Sequence, residues 1–253
     1  MEKTARIWIV SELFYPEKDA TSYILTEIAD ELKKKHDVRI ITGQKYYKKK
    51  SNILEKKKPY PVLRINFKTY SKNKYIRGIK SLLLSFFLFL LLILKIKKND
   101  KVFVPTNPPF LLIFISFINI IKPKTELILY IHDVFPKNSI VSGVFPKINL
   151  LRKFTLFIFK ISYSRFNKII TIGSDMKDVI SKITKNKVKI INIPNWVEIA
   201  KYPQIQTSDN INRKVVFAGN IGFLQGHHEI IQLLIENDIT NIDFEFWGDG
   251  VTK

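Results

Sequence analysis

Four short stretches of this chain combine residue types that can hold a phosphate or move a proton. His132-Asp133-Val134-Phe135-Pro136 follows an apolar run that ends at Ile131. A histidine beside an aspartate at a strand end can orient a hydroxyl or shuttle a proton. The plainer alternative is a turn whose aspartate caps the next segment. Gly219-Asn220-Ile221-Gly222-Phe223-Leu224-Gln225-Gly226 lies between an apolar run and a helical pattern. Its three glycines allow close backbone approach to a ligand, and a helix start favours a diphosphate. The alternative is a glycine-rich connector. Tyr15-Pro16-Glu17-Lys18-Asp19-Ala20-Thr21-Ser22 joins the first apolar run to the first helical pattern. The N–H groups that open a helix attract phosphate there, although every βαβ unit has such a turn. Pro194-Asn195-Trp196 closes a later run and by itself is a turn.

Other chemistries are excluded by inspection. The chain has no cysteine, so it has no disulfide, thiolate metal site or cysteine nucleophile. It contains no G-x-G-x-x-G after a strand, no Walker A motif, no D-x-D pair and no G-x-S-x-G elbow. His36, His132, His227 and His228 do not fall at a zinc-binding spacing. His227 and His228 are adjacent, so on a helix they point in different directions.

These motifs need a scaffold, and the apolar pattern supplies one. Strands are expected near 7–10, 38–42, 62–65, 102–104, 127–131, 168–172, 189–193, 215–218 and 244–247. Helical patterns separate them, with Ile24, Ile28 and Leu32 on one face of the first. Another carries Met176, Val179, Ile180 and Ile183, with Ser174 and Asp175 as capping candidates. Strands alternating with helices make βαβ units and a mostly parallel sheet. The start of the chain is too short an apolar run for a secretory signal and reads as a buried strand. Segments 82–94 and 110–121 are strongly apolar, each about 13 residues against the ~20 needed to span a bilayer. They read first as buried helices, second as a membrane-facing patch and last as a transmembrane hairpin. A boundary falls near 194–209, giving domains 1–200 and 201–253.

The formal charge of +20 is uneven. Between Lys33 and Lys80, seventeen basic residues face only Asp37 and Glu55. Such a field attracts phosphates, nucleic acid or acidic lipid, or is simply a solvated lysine-rich surface. Residues 45–58 read as a mobile basic loop. No recognised nucleic-acid module accompanies the charge, so nucleic acid is not an expected partner.

Taken in order, the motifs resemble glycosyltransferase family 4, in particular its capsule, O-antigen and colanic-acid-type polysaccharide branch. The resemblance is carried by Phe14-Tyr15-Pro16 with Ala20-Thr21-Ser22; Asn107-Pro108-Pro109; His132-Asp133-Val134-Phe135-Pro136; Ile193-Pro194-Asn195-Trp196; and Gly219-Asn220-Ile221-Gly222 with Gln225-Gly226. Phe246-Trp247-Gly248-Asp249-Gly250 resembles the strand and turn that follow. It implies an α/β fold of GT-B type: a complete N-terminal Rossmann-like domain and the beginning of a second. It implies a metal-free transferase that retains configuration at the sugar carbon, with no cofactor and a UDP- or GDP-sugar as substrate. The acceptor would be a lipid-linked saccharide or oligosaccharide at the inner face of the plasma membrane, with peripheral membrane contact.

By the same resemblance, His132 and Asp133 are the catalytic candidates. Asp19, Ala20, Thr21, Ser22, Gly219, Asn220, Gly222, Gln225 and Gly226 would face the donor diphosphate, and Asn195 and Trp196 would lie between domains. Asp19 stands where the family usually has glycine, and an acid facing a diphosphate would repel it. Phe223 and Gln225 occupy a region where many relatives place an arginine and a lysine. The family's E-x7-E-type motif would fall beyond Lys253. The expectation is therefore that residues 1–253 alone are inactive. A non-catalytic membrane- or polyanion-binding remnant is the alternative.

Overall fold

A computed structural model describes residues 5–17, 19–44, 57–69, 71, 73–136, 149–197, 213–219, 221, 225–237 and 242–248. Most of the basic tract 45–58, and the linker from 198 to 212, lie outside the described residues. The chain divides into two compact units, Met1–Asn195 and Trp196–Lys253.

The first unit is built on a parallel sheet of seven strands in the order β3-β2-β1-β4-β5-β6-β7. The strands are β1 (Arg6–Ser11), β2 (Asp37–Thr42), β3 (Val62–Arg64), β4 (Lys101–Pro105), β5 (Glu126–Ile131), β6 (Lys168–Thr171) and β7 (Lys189–Asn192). All seven coincide with apolar runs in the sequence. Central strands have both faces covered, so Trp8, Ile9 and Val10 in succession are 1% exposed or less. The sequence order reverses between β1 and β4. A doubly wound sheet opens its ligand crevice at such a switch point, outside the carboxyl ends of the strands. Ile9↔Phe103 is the last register pair between β1 and β4, yet both strands run two residues further. They part there, and the crevice lies where they part.

One face of the sheet carries α1 (Ala20–Lys33), which buries Ile24, Leu25 and Ala29 against Ile7, Ile9 and Tyr130. The other carries α2 (Lys74–Lys95), α3 (Leu111–Ser116), α4 (Ile118–Ile121), α5 (Asn149–Ser164) and α6 (Ser174–Thr184), packed on Trp8, Val10, Val102, Val104 and Leu129. Segment 110–121 is buried in part: Leu111, Leu112, Ile115 and Ile118 are fully covered, while Phe117, Ile120 and Ile121 are exposed. It breaks at Phe117 into two short helices.

Segment 82–94 differs from its expectation. It belongs to a helix of 22 residues, long and apolar enough by length and composition to cross a membrane. Its buried residues are Leu84, Ser85, Leu88 and Leu92, while Leu82, Leu83, Phe86, Phe87, Leu90 and Leu94 are exposed. A single sheet face covers one side of a helix, and no neighbour among the described residues covers the opposite side. The capping expectation for α6 also changes. Its N-cap is Gly173, without a side-chain cap, and Ser174 and Asp175 fall in the first turn.

The second unit contributes β8 (Arg213–Ala218) and β9 (Ile242–Trp247), paired in parallel, and α7 (His227–Glu236) between them. This is one βαβ step, as the sequence pattern expects.

Candidate active site

The carboxyl edge of the sheet is held by backbone hydrogen bonds between loops. Glu12 N–H donates to the Asn107 carbonyl at 3.3 Å, and Gly43 N–H donates to the Glu12 carbonyl at 3.1 Å. A Cβ on Gly43 would come within 2.7 Å of that same carbonyl oxygen, so the close approach needs glycine. The Arg64 guanidinium donates to the carbonyls of Gly43 and Tyr15, tying the loops after β1 and β2 together. The prolyl bonds Tyr15-Pro16, Asn107-Pro108 and Phe135-Pro136 are cis, one in each loop after β1, β4 and β5.

His132 sits at the end of β5. Its backbone N–H and that of Asp133 both donate to Thr106 Oγ1, at 3.2 and 3.3 Å, so the loop after β4 positions the turn after β5. Strand alternation puts His132 on the same sheet face as Tyr130. Their rings meet edge to face at 4.4 Å. His132 Nε2 is buried and has no hydrogen-bond partner among the described residues. Burial pushes the imidazole below its ordinary pKa, opposed by the negative charges of Asp133 and Asp19. A neutral ring at pH 7 with an unsatisfied nitrogen is an orphaned polar group that a bound hydroxyl or phosphate oxygen would satisfy. Asp133 is exposed.

Asp19 is half-buried and lines a cavity with Tyr15, Ala20 and Thr26. It is the N-cap of α1: its carboxylate accepts from Ser22 N–H at 3.0 Å and from Ser22 Oγ at 2.6 Å. The cap therefore occupies one of the donors that a diphosphate would use. Ser22 is wholly buried, whereas Ala20 is exposed and Thr21 half-buried at the loop mouth.

Removing the Asp19 carboxylate separates its two effects. Asp19→Ala should cost about 0.5–2 kcal/mol of stability, and Asp19→Gly only a few tenths, since glycine is tolerated at an N-cap. Thermal denaturation of both variants checks this. Equal losses would mean that the side-chain cap contributes nothing.

Sequence reading missed Glu12. It follows β1 directly and is 7% exposed, and its Oε1 accepts from Thr69 Oγ1. Burial raises its pKa above the ordinary 4.5, opposed by the Thr69 hydrogen bond and the Arg77 charge and reinforced by Asp19. The available signal was an acid placed immediately after an unbroken apolar strand. The folded state thus holds the Glu12 proton more tightly than the unfolded chain does. Its contribution to stability is fully present below pH 4.5 and is lost as pH rises through the raised value. Glu12→Gln should therefore raise the melting temperature at pH 7–8, by ~2–4 °C per kcal/mol relieved in a chain of this size. The gain should vanish toward pH 4. An equal gain at both pH values would show that charge is not the cause.

Asn195 is the last residue of the first unit, at its boundary with the second, and its Oδ1 accepts from Tyr130 Oη at 2.7 Å. Trp196 is 41% exposed and begins the second unit. In that unit Gly219 N–H donates to the Trp247 carbonyl at 2.9 Å, joining the ends of β8 and β9. Gly226 is the N-cap of α7 at φ +65°, a conformation suited to glycine, and no side chain caps the helix. Gln225 is exposed. Asn220 and Gly222 lie outside the described residues. His227 is buried against Phe217 and Phe246 while His228 points outward. Among the described residues, no group of three or more His, Asp or Glu side chains is arranged to hold a metal ion.

Comparison with known proteins agrees with this geometry. Over 97–98% of its length, the chain superposes on solved chains of trehalose-6-phosphate enzymes. One is a trehalose-6-phosphate protein from E. coli bound with UDP-2-fluoro glucose, at TM-score 0.61 and 11% identity. Another is a trehalose-6-phosphate synthase solved in work on glycosyl transfer with retention, at TM-score 0.63 and 11% identity. The fold is that of the GT-B glycosyltransferases. In sequence, the chain is 27% identical over 197 residues to the Pseudomonas aeruginosa protein named Probable glycosyltransferase WbjE. That alignment covers 73% of this chain and 48% of the relative. No family model matches the chain. The chain spans about half the length of that relative, and 65% and 64% of the two solved chains.

Proposed function

We propose that the protein of which this chain forms at least part is a glycosyltransferase. It moves a sugar with retention from a UDP- or GDP-sugar to a lipid-linked saccharide in cell-surface polysaccharide synthesis, as in family 4. One observation carries the reading: at the end of β5, next to the switch strand β4, His132 holds a buried, unpartnered Nε2 within reach of the charge of Asp19 at the start of α1. The GT-B fold and the glycosyltransferase name of the relative support it.

Each part has a task in that chemistry. Backbone N–H groups at the start of α1 hold the charge that grows on the departing nucleoside diphosphate. His132 donates or accepts a hydrogen bond at the transferred sugar, and Asp133 braces the acceptor. Asn195 anchors the end of the first unit through Tyr130. The reaction takes place on the cytoplasmic side of the plasma membrane, where nucleotide sugars are available.

Incubation with labelled UDP- and GDP-sugars and a membrane lipid extract tests this directly. Transfer of label into the lipid phase supports the reading. Label that stays on the nucleotide, together with no thermal stabilisation by any UDP or GDP compound, would overturn it. It would favour a non-catalytic polyanion-binding role. Asp19→Gly should strengthen stabilisation by the nucleoside diphosphate, because it removes a negative charge and frees Ser22 N–H.

A further inference from the structure

The exposed side of the helical layer is apolar on three neighbouring elements. On α2, Ile79, Leu83, Phe86 and Leu90 form one stripe at three- and four-residue spacing, each 40–61% exposed. They lie opposite the buried Leu84, Leu88 and Leu92. On α4, Ile120 and Ile121 are 65% and 54% exposed. On α5, Leu150, Phe154 and Phe157 follow the same spacing at 59–79% exposure. α3 packs against both α2 and α5, so the three stripes belong to one layer. A single apolar residue on a surface is ordinary, but a continuous face of this kind marks an interaction site.

Charge identifies the occupant. None of these helices contains an aspartate or glutamate. Arg77 and Lys80 flank the start of the α2 stripe, and Lys95, Lys97 and Lys98 flank its end. Arg152, Lys153 and Lys160 stand beside the α5 stripe and are exposed. A second copy would set basic residues against basic residues. An anionic bilayer accepts both features, since apolar side chains enter the acyl boundary while lysines meet the headgroups. α2 lies on this surface rather than spanning it, because Leu84, Leu88 and Leu92 are core residues packed on the sheet.

We propose that the α2–α4–α5 face docks this protein flat on an anionic leaflet. The start of α2 lies at the carboxyl edge, where the Arg77 charge reaches Glu12. His132 stands on the opposite sheet face, with Tyr130 and α1, so a docked molecule keeps it uncovered.

The test is cosedimentation of the purified chain with vesicles of phosphatidylcholine alone or mixed with phosphatidylglycerol, without any nucleotide sugar. Its outcome is therefore separate from that of the transfer assay. The chain should pellet with the phosphatidylglycerol vesicles and remain soluble with phosphatidylcholine. Leu83→Glu combined with Phe154→Glu should weaken binding at least roughly tenfold, with an unchanged melting temperature because both side chains are exposed. Undiminished binding by this variant would assign the attraction to charge alone and overturn the docking face. A dimer in light scattering that the same substitutions dissociate would assign the face to a second copy. Retention on membranes after an alkaline carbonate wash would show α2 inserted rather than laid flat.

Discussion

Replacement of His132 by alanine is expected to lower sugar transfer by ~100-fold or more while leaving the fold intact. The residue is held by Thr106 only through its backbone N–H, so removing the ring breaks no hydrogen bond among the described residues. Under the proposed function, what is lost is a neutral donor or acceptor for the transferred sugar. Burial holds the imidazole below its ordinary value of 6.5, so the ring stays neutral under mildly acidic conditions where a free histidine is half protonated. Transfer by the unaltered protein should therefore persist as pH falls through 6.5 and decline only at the lowered value. The initial rate of label transfer, measured across pH for both proteins, checks both statements. An alanine variant with undiminished transfer would remove His132 from the reaction. Unfolding of that variant would instead give it a structural role.

The second large effect is on stability. Trp8→Ala should cost about 3–5 kcal/mol, lowering the melting temperature by roughly 10 °C. Trp8 is 1% exposed in the central strand, and its indole Nε1 donates to Asp100 Oδ2 at 2.9 Å. The guanidinium groups of Arg6 and Arg39 each lie 5.8 Å from its ring centre. Truncation opens a cavity, removes a donor from a carboxylate that is itself 6% exposed, and takes away the surface on which the two cations stack. Asp100 retains Lys97 N–H, at 2.9 Å. Trp8→Phe keeps most of the volume and should cost distinctly less. Thermal denaturation followed by circular dichroism compares the two. A small loss on Trp8→Ala would mean that β1 repacks around the gap.

Much of the fold was legible because it rests on local pattern. The strands among the described residues fall on the apolar runs, and in the central ones this is because a parallel strand covered on both faces needs unbroken apolar sequence. The positions of the site loops followed from the same reasoning, because a motif placed just after a strand must lie at the carboxyl edge. The placement of His132, Asp133 and the start of α1 at the carboxyl edge was legible in this way.

Tertiary structure decided what periodicity does not encode. Composition marks α2 as apolar all round, yet only its contact with the sheet determines that Leu88 is core and Leu83 is surface. The backbone geometry at the start of α1 decided that the Asp19 carboxylate turns onto Ser22. A hydrogen bond to a tyrosine 65 residues earlier ties Asn195, the last residue before the junction, to the first unit. Glu12 and Thr69 are 57 positions apart and become partners only when β1 and β3 join one sheet. Side-chain burial and long-range hydrogen bonds depend on which elements become neighbours. Here the chain reversal between β1 and β4 set those neighbours, not any residue read by itself.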